Sequence, residues 1–100
     1  MSTIAKHAAA GGASAFSRVL GEEIRRRRVA LRLSQTNVGR PLSRAFVSSV
    51  ESGRVTPSLP SLLMIARRLN SSGSSILASV ETQLEDPLTN GTTDETAIPR

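Results

Sequence analysis

The sequence predicts an all-α domain: five short helices around one core, with a flexible N-terminal arm and an acidic C-terminal tail. Three observations carry this. Apolar residues recur at helical rather than strand spacing. The 38% hydrophobic content is almost wholly aliphatic, with Phe16 and Phe46 the only aromatics, whereas strands favour aromatic and β-branched residues. Serine, asparagine, glycine and proline stand where short helices start and stop. A chain of 100 residues holds about one domain.

Residues 1–14, mostly Ala, Gly and Ser, read as a flexible arm, and the domain takes 15–80. A first helix runs from Phe16 to Leu31, with Phe16, Leu20, Ile24 and Leu31 on one face. Ser34 offers an N-cap for a short second helix from Gln35 to about Arg40, ended by Gly39 and Pro41. Ser43 caps a third, Arg44 to Ser52, and Gly53 stands where a left-handed residue is needed. Thr56, Pro57 and Ser58 form a turn. Ser58 caps a fourth helix whose first turn accommodates Pro60. Leu62, Ile65, Ala66 and Leu69 are its buried stripe, Leu63 and Met64 lie at the stripe's edge as extra core, and Asn70 stops it. A weaker fifth helix carries Ile76, Leu77 and Val80. Residues 81–100, with Pro87, Gly91 and Pro99, read as a disordered acidic tail.

Charge is divided unevenly. Residues 1–80 hold 12 Lys and Arg against the three acids Glu22, Glu23 and Glu51, a net +9. Residues 81–100 hold one Arg against five acids, a net −4. Lys6 is the only lysine, and arginine forks match phosphate and guanine geometry better than lysine does. Arg25, Arg26, Arg27 and Arg28 spread around the helix axis and cannot form one face. Arg28 falls on the apolar stripe, and the other three read as solvated charge that lends positive field.

Catalysis is not expected. There is no cysteine, hence no thiol nucleophile, disulfide or cysteine-based zinc site. His7, the only histidine, lies in the arm, so neither a Ser-His-Asp arrangement nor a metal site can be assembled. No cofactor motif is present. The longest apolar run, Leu62–Ala66, is far short of the ~20 residues that span a bilayer. Lys6 and His7 interrupt any signal-peptide pattern at the start, and a cytoplasmic protein is expected.

The third helix has two faces. Val47 and Val50 point inward with Glu51 beside them. Arg44, Ala45, Ser48, Ser49 and Ser52 point outward, a small, hydrogen-bonding surface of the kind that enters a DNA major groove. Read with the stretches LGEEIRRRRVALRLSQ (Leu20–Gln35), SRAFVSSVESGRVTPSL (Ser43–Leu59) and LLMIARRLN (Leu62–Asn70), the chain resembles the xenobiotic-response-element/Cro family of helix-turn-helix regulators, which have the phage-repressor-like fold. The resemblance covers about half the chain. It implies a lambda-repressor-like, sequence-specific binder of double-stranded DNA, a transcription regulator such as a repressor, with helix 3 as the recognition helix. It puts base contacts at Arg44, Ala45, Ser48 and Ser49, with Phe46 near the groove, and phosphate contacts at Gln35, Arg54 and Thr56. Ala45 can meet only a thymine methyl. Gly39-Arg40-Pro41-Leu42 stands where many members have about two more residues. A homodimer on DNA is expected, through Ile76, Leu77 and Val80. The competing class is an antitoxin or other helical module that binds a protein partner.

One pairing follows from the residues themselves. Arg28 lies on the apolar stripe of helix 1 and Glu51 beside that of helix 3, and Glu51 is the only carboxylate between Ile24 and Val80. A withdrawn arginine keeps its proton and needs an acceptor. An Arg28–Glu51 salt bridge between helix 1 and helix 3 is therefore expected, and the resemblance implies the same pair.

Overall fold

The computed structural model describes the backbone of residues 2–85 and the side chains of residues 15–85. All the regular elements among them are helical: α1 (Ser2–Ala30), α2 (Gln35–Gly39), α3 (Arg44–Glu51), α4 (Leu59–Arg68) and α5 (Gly73–Leu84). α3 packs between α1 and α2, while α5 lies along α1 and against α4.

Four of the five starts have one chemical cause. Ser34, Ser43, Ser58 and Ser72 are extended residues whose hydroxyls accept from the backbone N–H three positions on, at Asn37, Phe46, Ser61 and Ser75. Each satisfies one of the donors that a helix start leaves unpaired. None of these helices has an acid in its first turn. The stops are equally local. Gly53, at φ +82°, and Asn70, at φ +54°, take the left-handed conformation after α3 and α4, which glycine and asparagine adopt at least cost.

Three helix boundaries differ from the expected ones. α1 begins at Ser2, not at Phe16. Ala5, Ala8, Ala9, Ala10 and Ala13 are the strongest helix formers, and they extend the helix through the stretch read as an arm. α1 also ends at Ala30, one residue before Leu31, in a turn where Arg32 sits at φ +60°. Leu31 thereby leaves the buried face and is 41% exposed. Lastly, α5 continues through Leu84, past the boundary at 80. The rest of the acidic tail, 86–100, lies outside the described residues.

The core gathers Val19, Leu20 and Ile24 of α1, Val38 of α2, Val50 of α3, Leu62, Ile65, Ala66 and Leu69 around α4, and Ile76 and Val80 of α5. Ile76 and Val80 are wholly buried within this chain, so they are not available for the dimer contact expected of them. α5 needs its apolar edge to cover α1 and α4. Leu63 is half exposed and its side chain lies over Gly73, where an added Cβ would come within 2.6 Å of Leu63 Cδ2. It adds little to the core.

α1 and α3 approach unusually closely. A Cβ built on Gly21 would lie 2.2 Å from the carbonyl oxygen of Val50 and 2.7 Å from that of Glu51. Only a residue with no side chain lets the two backbones touch there. Among the described residues no helix is long and apolar enough to cross a membrane.

Candidate nucleic-acid interface

The inward side of α3 is fixed by Val47 and Val50, both fully buried. That leaves Arg44 and Ala45 exposed, Ser48 and Ser49 half-buried, and Ser52 exposed, the face expected from the sequence. Among the described residues neither the Ser48 nor the Ser49 hydroxyl has a hydrogen-bond partner, whereas Ser52 Oγ donates back to the Ser49 carbonyl at 3.1 Å. The helix offers one guanidinium, one methyl and two available hydroxyls.

What holds α3 in place is the expected ion pair. Arg28 Nε donates to Glu51 Oε2 at 2.6 Å and Nη2 to Oε1 at 3.0 Å, a two-pronged contact. The third nitrogen, Nη1, donates to the Leu33 carbonyl at 2.8 Å. The Arg28 side chain is 14% exposed and that of Glu51 4%. Glu51, hydrogen-bonded to the guanidinium, pushes the Arg28 pKa up further, against the opposing effect of burial, so the arginine stays charged. A withdrawn charge pair is tolerated only when further hydrogen bonds support it; here all three guanidinium nitrogens of Arg28 donate and both Glu51 oxygens accept.

Gln35 belongs to this network. Its Nε2 donates to Glu51 Oε1 at 3.0 Å, so the residue expected to touch a phosphate also links the start of α2 to the Arg28–Glu51 pair. An amide nitrogen has two protons, and one remains for an outside acceptor. Arg54 is exposed in the loop after α3, where its N–H and that of Val55 close on the Ser49 carbonyl at 3.0 and 3.3 Å. Thr56 is exposed as a residue, but its hydroxyl bonds to Ser17 and ties the loop to α1. Phe46 is half-buried and packs against the core.

The four-arginine run is sorted by helix geometry. Arg26 and Arg27, three and four positions after Glu23, pair with its carboxylate, Arg27 Nε at 2.6 Å. Arg27 also reaches α5, donating to Ser79 Oγ at 3.1 Å, and to Ser71 Oγ at 2.8 Å. Gln83 Nε2 adds a 3.0 Å bond to Glu23. Burial raises the Glu23 pKa, but hydrogen bonds from Arg27, Arg26 and Gln83 together outweigh it and hold the group below its usual value. Arg28 takes Glu51. Arg25 instead lines a shallow groove with Gln35, Ser48, Glu51 and Ser52. From sequence alone Arg25 is no more than general positive field, and Gly21 has no assigned role. The signal for Arg25 was its spacing, one helical turn before Arg28 and therefore on the same side. Gly21 could have been noticed as an interior glycine in a strong helix, which usually has a packing reason.

The chain was compared with protein-family models, curated proteins and solved structures, and none matches.

Proposed function

We propose that the chain is a sequence-specific binder of double-stranded DNA, acting as a cytoplasmic transcription regulator by binding rather than by catalysis. In this reading α2 and α3 form the helix-turn-helix of a lambda-repressor-like domain of the xenobiotic-response-element/Cro type. The observation that carries it is the outward face of α3, exposed at Arg44, Ala45 and Ser52, half-exposed at Ser48 and Ser49, and built from small polar residues around Arg44. It stands on a helix whose tilt is locked by Arg28, Glu51 and Gln35. A reading helix must be both free on one side and rigid on the other.

Within this reading Arg44 contacts a guanine or the adjoining phosphate, Ala45 a thymine methyl and Ser49 a base edge. Arg54 and the second amide proton of Gln35 serve the sugar-phosphate backbone. One domain covers about half a turn of duplex, so two copies act together on half-sites about 34 Å apart.

The test is selection of bound duplexes from random DNA, followed by binding titrations over a range of salt. A pseudo-palindromic consensus whose affinity falls steeply with salt supports the proposal. Binding that is indifferent to sequence and salt refutes it. Tight capture of a protein partner without DNA binding would favour an antitoxin-like role instead.

A further inference from the structure

Of the four consecutive arginines of α1, three have carboxylates: Arg26 and Arg27 pair with Glu23, and Arg28 with Glu51. Arg25 is exposed and, among the described residues, pairs with none. It stands one helical turn before Arg28 and therefore on the α3 side of α1. There it opens onto the groove lined by Gln35, Ser48 and Ser52. These are a guanidinium, an amide donor and two hydroxyls around one depression at the edge of the outward face of α3.

We infer that this groove is a seat for a DNA backbone phosphate, with Arg25 as its principal cation and Ser48 as a second donor. The inference rests on the DNA-binding reading and refines it. Ser48 moves from reading bases to holding the backbone, which leaves Arg44, Ala45 and Ser49 as the base-facing set. Glu51 also lines the groove, and its negative charge would repel a phosphate if it stood alone. Its two oxygens are already engaged by Arg28. The pair is neutral as a unit, and Arg25 leaves the groove one net positive charge. Planar arginine forks bind phosphate oxygens through two parallel N–H groups. The seat also has a structural consequence: a phosphate held there contacts α1 and α3 together, and α1 is the helix that sets the tilt of α3. Backbone contact and base reading are thus referred to one rigid pair of helices.

The experiment compares wild type, Arg25→Ala, Arg25→Lys, Ser48→Ala and Arg26→Ala on a selected duplex and on a scrambled one, between 50 and 200 mM salt. Arg26→Ala removes the same charge from the same helix, but from an arginine paired with Glu23. Arg25→Ala is expected to weaken binding to both duplexes by the same factor, up to roughly tenfold at 0.1 M salt, and to reduce the salt slope by about 1. Arg25→Lys should recover the slope. Ser48→Ala should weaken both duplexes equally, without altering the preference between them. Wild-type salt dependence with an unchanged slope in Arg25→Ala overturns the phosphate seat and leaves the DNA reading intact. Equal losses in Arg25→Ala and Arg26→Ala also overturn it, because the effect would then be net charge. If wild type binds neither duplex, the DNA reading fails, and the seat fails with it.

Discussion

α1 takes part in two arginine–carboxylate clusters, one facing α3 and one facing α5, and they differ in kind. Toward α3, Arg28 and Glu51 come from different helices, and both are withdrawn, with side chains 14% and 4% exposed. Toward α5, Glu23 is withdrawn at 8%, but its partners come from its own helix and remain wetter, Arg27 at 25% and Arg26 at 57%. The link across is left to neutral groups, Gln83 and Ser79 of α5 and Ser71 in the turn before it. The first contact is a rigid fork that specifies one orientation of α3. The second is an intrahelical charge cluster to which α5 is attached by single hydrogen bonds between neutral and charged groups, each worth about 1.5–3 kcal/mol net at most. The same two residue types thus fix a direction on one side of α1 and merely fasten a helix on the other.

The largest expected effect breaks the rigid side. Glu51→Ala leaves Arg28 withdrawn with no carboxylate and should cost about 3–5 kcal/mol in denaturant unfolding. The double change Arg28→Met with Glu51→Leu, which removes both charges, should cost far less. A double variant as unstable as the single one would mean that attraction, not desolvation, governs the pair. Next comes Gly21→Ala. Alanine is the better helix former by about 1 kcal/mol, yet its Cβ would meet two carbonyl oxygens of α3, and overpacking of this kind costs about 1–3 kcal/mol. Net destabilisation with a displaced α3 is expected. A gain in stability would show that the helices can part at no cost.

These two positions show how far the sequence could be read. The Arg28–Glu51 pair was legible because stripe position and the scarcity of carboxylates in the middle of the chain left one partner. The capped starts at Ser34, Ser43 and Ser58 were legible because capping is decided within three residues. Gly21 was not, since its reason lies in a backbone 29 positions away in sequence, between Gly21 and Val50. The end of α1 was also hidden: a left-handed Arg32 has no glycine or asparagine to announce it. The fifth helix illustrates the limit for surfaces. Periodicity marks the apolar edge of Ile76 and Val80 but does not say whether that edge is covered by the same chain, as it is here, or by another.

The softer side predicts a smaller, pH-dependent effect. Glu23→Gln should cost about 1–2 kcal/mol near neutral pH through weakened charged hydrogen bonds. Because folding lowers the Glu23 pKa, its contribution is complete above the unfolded value near pH 4. It is lost as pH falls through the lower folded value. The difference between wild type and Glu23→Gln should therefore shrink below about pH 4. A constant difference down to pH 2 would show that Glu23 titrates alike in both states. The sharpest separation of the two sides is expected from Arg28→Lys. Lysine keeps the charge and loses the fork. It should lower the preference for a selected duplex over a random one, whereas Glu23→Gln should leave that preference unchanged. Equal effects on specificity would remove the distinction between orienting and fastening.

The serine caps have a consequence for anyone seeking to stabilise the fold. Aspartate at Ser43 would accept the same Phe46 N–H and also interact favourably with the positive end of the helix dipole, a gain of about 0.3–1 kcal/mol. The same holds at Ser34 and Ser58. By using a neutral hydroxyl at each start and no acid in the turn that follows, the chain leaves those partial positive charges uncancelled. Heat resistance and attraction to a polyanion therefore pull these three positions in opposite directions. A screen for melting temperature alone would select aspartates there and return a sturdier domain with a weakened surface potential.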